Sequence, residues 1–290
     1  MADLQDTAVQ LAREAGQHLR RIFESGRQAE QIGHKGAIDL VTRADRESEE
    51  HIRRGIEHQH PNHSILAEEG GASGPANAAF RWVVDPLDGT VNFAHGVPHF
   101  AVLIAVQQLC SQGYRDVLSV TYEPLRQELF VAERDGGAYL NGHRIGVSHT
   151  RELIDAIGAT GFAYDRLFRE RDNHAEFCRM NLLTQGLRRF GSAGLDLAWV
   201  ACGRFDFFWE YGLKPWDVIA GRLLVREAGG KVSALPANGS GGEHVLASNG
   251  ALHSVTAQAL ESAQQVAVNA RQGLATWLPE RLGTELESND

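Results

Sequence analysis

The sequence predicts a layered α/β fold, and three observations carry that expectation. The chain opens with apolar residues at helical spacing. Its first half then holds several short apolar runs of strand length, and its second half alternates strand-like and helix-like segments. In the first segment Leu4, Ala8, Leu11, Ala12, Ala15, Leu19, Ile22 and Phe23 share one helical face, with Arg, Gln and Glu opposite, until Gly26 ends the pattern. A second helix is expected after Thr42, carrying Ala44, Ile52 and Ile56 and stopping before Pro61-Asn62. The period then shortens. Residues 64–67, 80–84, 100–106, 117–122 and 128–132 read as strands, and Asn141-Gly142 is a tight-turn signal. Beyond it we expect a strand at 156–160, helices at 166–183 and 195–201, a strand at 205–209 and a helix at 218–228. Strands at 231–234 and 244–247 and a closing helix at 251–267 complete the pattern. The boundary near 146–151 divides an N-terminal unit, 1–150, from a C-terminal unit, 151–268, with a polar tail at 269–290.

Composition narrows the function classes. The 290 residues are 43% hydrophobic and 22% charged, enough for a sizeable core. Cys110, Cys178 and Cys202 lie far apart with no paired spacing, which fits a reducing cytoplasm and offers neither a zinc site nor a disulfide framework. The acidic start is no secretory signal, and no apolar run approaches the roughly 20 residues a membrane span needs. A net charge of −9 argues against direct nucleic-acid binding. An anionic small molecule remains a fitting ligand if metal ions invert the local charge.

Acidic residues gather in three places. Glu68-Glu69-Gly70-Gly71 follows an apolar strand and reads either as a surface loop or as a ligand-binding strand end. In Asp85-Pro86-Leu87-Asp88-Gly89-Thr90-Val91-Asn92-Phe93 a buried strand delivers Asp85 at its end, Pro86 stiffens the turn that follows and Gly89 frees it, so that Asp85 and Asp88 converge across the turn. Two carboxylates brought together there would repel unless cations sit between them, and hard Mg²⁺ suits carboxylates and the Leu87 carbonyl. The Gly89 and Thr90 amides stand at an expected helix start, a seat for phosphate. The alternative is an ordinary surface turn, which the flanking apolar residues oppose. In Lys214-Pro215-Trp216-Asp217-Val218-Ile219-Ala220-Gly221, Asp217 is either a first-turn helix residue or a ligand, and no local argument separates the two. Trp82 and Trp216, beside these acids, are expected to pack and shape the site. His95 and His99 are expected as partly exposed loop residues.

Taken together, the second and third segments, the latter continuing to Glu227-Ala228-Gly229-Gly230, resemble the two motifs of the inositol monophosphatase family. Segments 39–45, Glu68-Glu69, Leu140-Asn141-Gly142 and 189–197 support the likeness in the same order, and 188–230 is most similar to SuhB-type bacterial members. The resemblance covers the chain to about residue 266. It implies the αβαβα sandwich shared with fructose-1,6-bisphosphatases and a Mg²⁺-dependent, lithium-sensitive phosphomonoesterase acting on inositol monophosphate, with about two or three ions per site. It implies metal ligation by Glu68, Asp85, the Leu87 carbonyl, Asp88 and Asp217, and activation of water by Thr90 with Asp45, Glu68 serving catalysis through its ion. The Gly89 and Thr90 amides would hold phosphate; Gly191, Ala193 and Glu210, with Asp88 and Asp217 nearby, would contact the polyol. It also implies a homodimer. Histidinol-phosphate and fructose-1,6-bisphosphate are alternative substrates, whereas Asn92-Phe93 argues against the nucleotide-directed branch. A second role implied by SuhB-type members is partnership with the transcription machinery, for which Arg20-Arg21 or Arg188-Arg189 are candidate surfaces. Val91, Gly194 and Trp199 depart from the usual pattern, and the small-residue loop 70–79 leaves any lid there mobile. None of these removes a ligand, so an active enzyme is expected.

Overall fold

The computed structural model describes residues 1–26, 33–34, 40–166, 171–236 and 242–263. In chain order its elements are α1 (Ala2–Glu24), β1 (Gly33–His34), β2 (Leu40–Val41), α2 (Arg43–Gln59), β3 (Ser64–Ala67), β4 (Gly71–Ser73), β5 (Phe80–Asp88), α3 (Thr90–Ala94), β6 (Ala101–Cys110), β7 (Gly113–Glu123), β8 (Glu128–Glu133), β9 (Gly137–Leu140) and β10 (His143–Arg144). A short 3₁₀ turn (Leu153–Asp155) leads to β11 (Ile157–Thr160), α4 (His174–Leu183), β12 (Gly186–Arg188), α5 (Ala193–Ala201), β13 (Phe207–Leu213), α6 (Pro215–Glu227), β14 (Lys231–Ala234), β15 (Glu243–Ser248) and α7 (His253–Ala263).

Two sheets organise the molecule. The larger has eight strands in the order β10-β9-β8-β7-β6-β5-β3-β4, antiparallel except for the β3–β5 pair. The smaller has five, β12-β11-β13-β15-β14, with β11 parallel to both its neighbours. Strand alternation explains the layering, because successive side chains leave opposite faces of a sheet. Val102, Ile104 and Val106 of β6 pack with the buried stripe of α1 and α2, while Ala101, Leu103 and Ala105 face α5 and α6. In β13, Phe207, Trp209 and Tyr211 pack with Met180 of α4 and Leu260 of α7, whereas Phe208 faces α5 and α6. The result is the expected αβαβα sandwich, with α5 and α6 buried between the sheets. Among the described residues no helix is long and apolar enough to cross a membrane.

Several boundaries differ from expectation, each for a local reason. The helix expected over 166–183 begins at His174, because Asn173 adopts a left-handed φ of 73° and turns its side chain inward. There its amide bonds Thr160 Oγ1, the Gly161 carbonyl and Trp209 Nε1 at 2.8, 2.7 and 2.6 Å. The closing helix starts at His253, and its expected end falls outside the described residues, as does the tail at 269–290. The 70–79 segment, read as a loop, carries the edge strand β4 paired with β3. The turn at Asn141-Gly142 forms as expected, with φ of 49° and 80° joining β9 to β10.

A half-buried ion pair ties the layers together. Arg222 of α6 donates from Nε and Nη2 to the Asp116 carboxylate of β7 at 2.6 and 2.9 Å, and Gln107 of β6 donates to the same group at 2.7 Å. Burial alone would raise the Asp116 carboxyl above its ordinary 3.8, but these bonds outweigh it and hold the group below that value. Asp116→Ala strands Arg222 and is expected to cost about 3–5 kcal/mol in urea denaturation. A lowered carboxyl stabilises the fold above its unfolded pKa and loses that contribution as pH falls through the folded one. Stability in the Asp116→Asn variant is therefore expected to fall less steeply on acidification to about pH 3 than in the wild type.

Candidate active site

The Asp85–Asp88 segment is built differently from a simple turn. Strand β5 does not end at Asp85; it runs on to Asp88 through a bulge, pairing Asp85 with Leu103 and Asp88 with Ala101. Three steps on β5 therefore span two on β6, the mark of one extra residue. Directly opposed residues point to the same face of a sheet, and Leu103 and Ala101 both face α5 and α6. The bulge thus turns both carboxylates toward the middle layer, where a regular strand would have split them. Trp82 goes the other way. It is fully buried in the α1–α2 core and donates to His63 Nδ1 at 3.0 Å, so it packs behind the strand rather than beside the acids.

Beyond the bulge Gly89 has φ 96°, and a Cβ there would meet the His99 carbonyl at 3.0 Å, so only glycine fits. It opens the short helix α3, whose first residue is Thr90. Thr90 Oγ1 lies 2.9 Å from Asp45 Oδ1 and 3.0 Å from the Leu87 carbonyl. Asp45 is fixed in turn by the capping box of α2, accepting from the Thr42 N–H at 2.8 Å and the Thr42 hydroxyl at 2.5 Å. Burial pushes the Asp45 carboxyl up, against the pull of these bonds.

Asp88 meets the start of α5. Its Oδ2 accepts from Ser192 Oγ at 2.6 Å and from the Gly194 N–H at 2.7 Å. Burial raises its pKa to about 6, with these donors and the amides of Ala193 and Leu195 resisting. Asp217 arrives from the second sheet: a bulge at Gly212, with φ 78°, redirects β13 into α6. The Lys214 N–H donates to Asp217 Oδ2 at 2.7 Å. One Asp85 oxygen accepts the Leu87 N–H at 3.0 Å. Burial first, then the charges of Glu68, Asp88 and Asp217, drive the Asp85 carboxyl well above its usual range. Burial, Glu68, Asp88 and Glu210 do the same to Asp217.

These groups share a cavity of about 650 Å³ between the two sheets. Glu68, Asp85, Leu87, Asp88, Gly89, Thr90, Gly191, Ala193, Glu210 and Asp217 all line it; Asp45 stands behind Thr90 and does not. Among the described residues no three acidic, histidine or cysteine side chains converge closely enough to hold a metal ion as they stand. The carboxylates instead line one chamber and raise one another's pKa. Glu210, buried on β13, is pushed up to about 8 by burial, with Arg189 pulling the other way. Trp216 lines the wall as a packing residue, and the exposed Arg189 sits at the lip.

Other residues emerge only in three dimensions. Asn92 Nδ2 donates to the carbonyls of His99 and Phe190 at 2.8 and 2.7 Å, stitching the first motif to the segment before α5. Ser48 Oγ donates to the Pro86 carbonyl at 3.1 Å, and Asp196 is a buried acid on the cavity wall. Ser48, at helical spacing between Ala44 and Ile52, is a signal that sequence reasoning missed; Asn92 stands in the first motif and Asp196 in the supporting segment 189–197, with nothing local to give either these contacts. His99, expected in an exposed loop, is buried against Phe190 and Trp199, with ring centroids 5.0 and 5.3 Å away. That burial lowers its pKa to about 4, and it does not line the cavity. His95 is exposed, as expected.

Comparison with known proteins bears on the family and the fold. The model of the inositol monophosphatase family matches residues 1–268. The chain belongs to that family. Its members are phosphatases, and the likeness extends over most of the chain. An inositol-1-monophosphatase of Synechocystis is 47% identical over 250 residues, covering 84% of this chain and 85% of the relative. The Nus factor SuhB of Pseudomonas aeruginosa is 45% identical over 238 residues, covering 80% and 86%. The structure of an inositol monophosphatase from Anabaena superimposes with a TM-score of 0.77 at 42% identity, covering 89% of this chain and 94% of that one.

The packing around Gly194 leaves no room for a side chain. A Cβ there would lie 2.5 Å from Leu103 Cδ2 and 2.8 Å from Asp88 Oδ2. Gly194→Ala is expected to lose about 1–3 kcal/mol of stability by overpacking and to displace Asp88. Thermal denaturation and phosphate release read the two effects separately.

Proposed function

We propose that this inositol monophosphatase family member hydrolyses inositol monophosphate to inositol and phosphate with Mg²⁺ bound. One observation carries the reading. Glu68, Asp85, Asp88 and Asp217, from distant stretches of chain, line a single cavity against which the Thr90–Asp45 pair is fixed. The donor set fits a hard divalent cation, being made of carboxylate oxygens and the Leu87 carbonyl. Burying these mutually repelling acids is costly unless a cation offsets their charge. When bound, Mg²⁺ would polarise the phosphoryl group and acidify a water molecule. Glu68, Asp85, Leu87, Asp88 and Asp217 would hold the ions.

The protein's own groups supply alignment. The Thr90 hydroxyl, donating to Asp45, keeps its lone pairs for a proton of the attacking water and so orients it. The Gly89 and Thr90 amides receive the phosphate at the start of α3. Glu210 accepts from a ring hydroxyl, and the backbone at Gly191 and Ala193 bounds the same side of the polyol. Such fixed placement is how a protein accelerates a phosphoryl transfer that has little covalent chemistry of its own. Lithium inhibition, a homodimeric state and a cytoplasmic location belong to the same proposal. The three free cysteines fit that location.

Phosphate release from inositol 1-phosphate, histidinol phosphate and fructose 1,6-bisphosphate, with and without Mg²⁺ and Li⁺, tests the substrate. Inositol 1-phosphate is expected to be preferred and Mg²⁺ required; a large preference for histidinol phosphate overturns the assignment. Asp88→Asn and Asp217→Asn are each expected to cut turnover more than about 100-fold, with an unchanged circular dichroism spectrum. Wild-type turnover in either variant removes the ligand assignment.

The similarity to the Nus factor SuhB of P. aeruginosa favours a second role, as a partner of the transcription machinery. Capture of an RNA polymerase accessory factor by both the wild type and Asp85→Asn would support it; no capture by either would dismiss it.

A further inference from the structure

The α2 face that holds Asp45 carries a second buried acid, Glu49, four residues further on. Glu49 is 3% exposed, and both of its oxygens are used. Its Oε2 accepts the Glu69 N–H and its Oε1 the Gly70 N–H, each at 2.7 Å. These are the two backbone amides that follow Glu68. Arg53, one turn along α2, lies 3.6 Å from Glu49 Oε1 and donates to the Gly71 carbonyl at 3.4 Å. A Cβ at Gly70 would come within 2.7 Å of Glu49 Oε1 and 2.5 Å of Arg53 Nη1, so the segment lies flat against this pair. On the strand side, the Glu68 N–H donates to the Val84 carbonyl at 3.3 Å, next to Asp85.

We infer that Glu49 is a positioning residue, clamping the chain just after Glu68 so that Glu68 faces Asp85 across the cavity. The inference rests on the proposed ligand role of Glu68. A carboxylate accepting two backbone N–H groups makes strong, directional bonds. At this place they fix the turn between Ala67 and Gly71, the last paired residues of β3 and β4. Glu49 does not line the cavity, so any effect it has on ligands passes through the Glu68 segment. An amide at this position keeps one acceptor and turns a donor toward the other N–H, which breaks half the clamp while keeping its size.

The experiment is a double-mutant cycle read by Mn²⁺ binding to the full-length protein, using electron paramagnetic resonance, alongside the Mg²⁺ dependence of phosphate release. Glu49→Gln is expected to weaken Mn²⁺ binding and raise the half-saturating Mg²⁺ about 10-fold or more, the range for residues that orient metal ligands. In a Glu68→Gln background the same change is expected to add less than about 2-fold, because the residue being aimed is gone. Gly70→Ala, which keeps the buried acid but crowds the clamp, should shift binding in the same direction and covers the case in which Glu49→Gln fails to fold. Unchanged Mn²⁺ binding in Glu49→Gln overturns the inference, as does an equal loss in both backgrounds, which would mark a general loosening of α2. If Glu68→Gln alone binds Mn²⁺ like the wild type, the ligand reading of Glu68 falls, and the clamp's role in metal binding falls with it.

Discussion

Keeping like charges together on buried side chains around one cavity is the constraint on which this structure turns. Among the described residues no salt bridge at close range neutralises Asp85, Asp88 or Asp217. Each has one oxygen tied to a backbone amide, from Leu87, Gly194 and Lys214 respectively. Backbone donors suit the task because they fix an oxygen without bringing a full positive charge that would compete with a metal ion. They also need no side-chain entropy to hold their direction. Each donor belongs to a bulge or a helix start, where amides are left over from regular pairing.

The sandwich supplies those ends at one point. The large sheet presents Asp85 and Asp88 on its middle-layer face, α5 begins against Asp88, and the bulge at Gly212 leads the second sheet into Asp217. Helix α2 supports from the opposite side. Asp45, Ser48 and Glu49 lie on its buried stripe and hold Thr90, Pro86 and the chain after Glu68. An apolar stripe interrupted by three bonded polar residues gives up some hydrophobic burial for position. The dry core on either side, from Ile52 and Ile56 to Trp82, sustains it.

Much of this was legible in the amino-acid order. The long periodic stripe of α1, the strand-length apolar runs and the Asn141-Gly142 turn are local signals that burial reinforces, and they appear where the pattern put them. The ordered motifs named the site residues, all but Asp45 of which line one cavity. What failed was set by distant partners. Asn173 leaves the helical conformation because its amide is claimed by Thr160, Gly161 and Trp209, which no local window contains. His99 is buried because Phe190 and Trp199, about a hundred residues later, close over it. The bulge in β5 was read as a turn because Pro86 and Gly89 are turn residues; only pairing with β6 shows that the strand continues.

The docking of α5 on Asp88 bears on how the chain is made. Translation releases the large sheet well before Ser192 and Gly194 exist, so Asp88 first emerges with none of the donors that later fix it. A buried acid without partners opposes compaction, which delays tight closure of the middle layer until the second half arrives. Until Ser192 and Asp217 have been made, the first half of the chain lacks part of the wall of the cavity that Asp85 and Asp88 line.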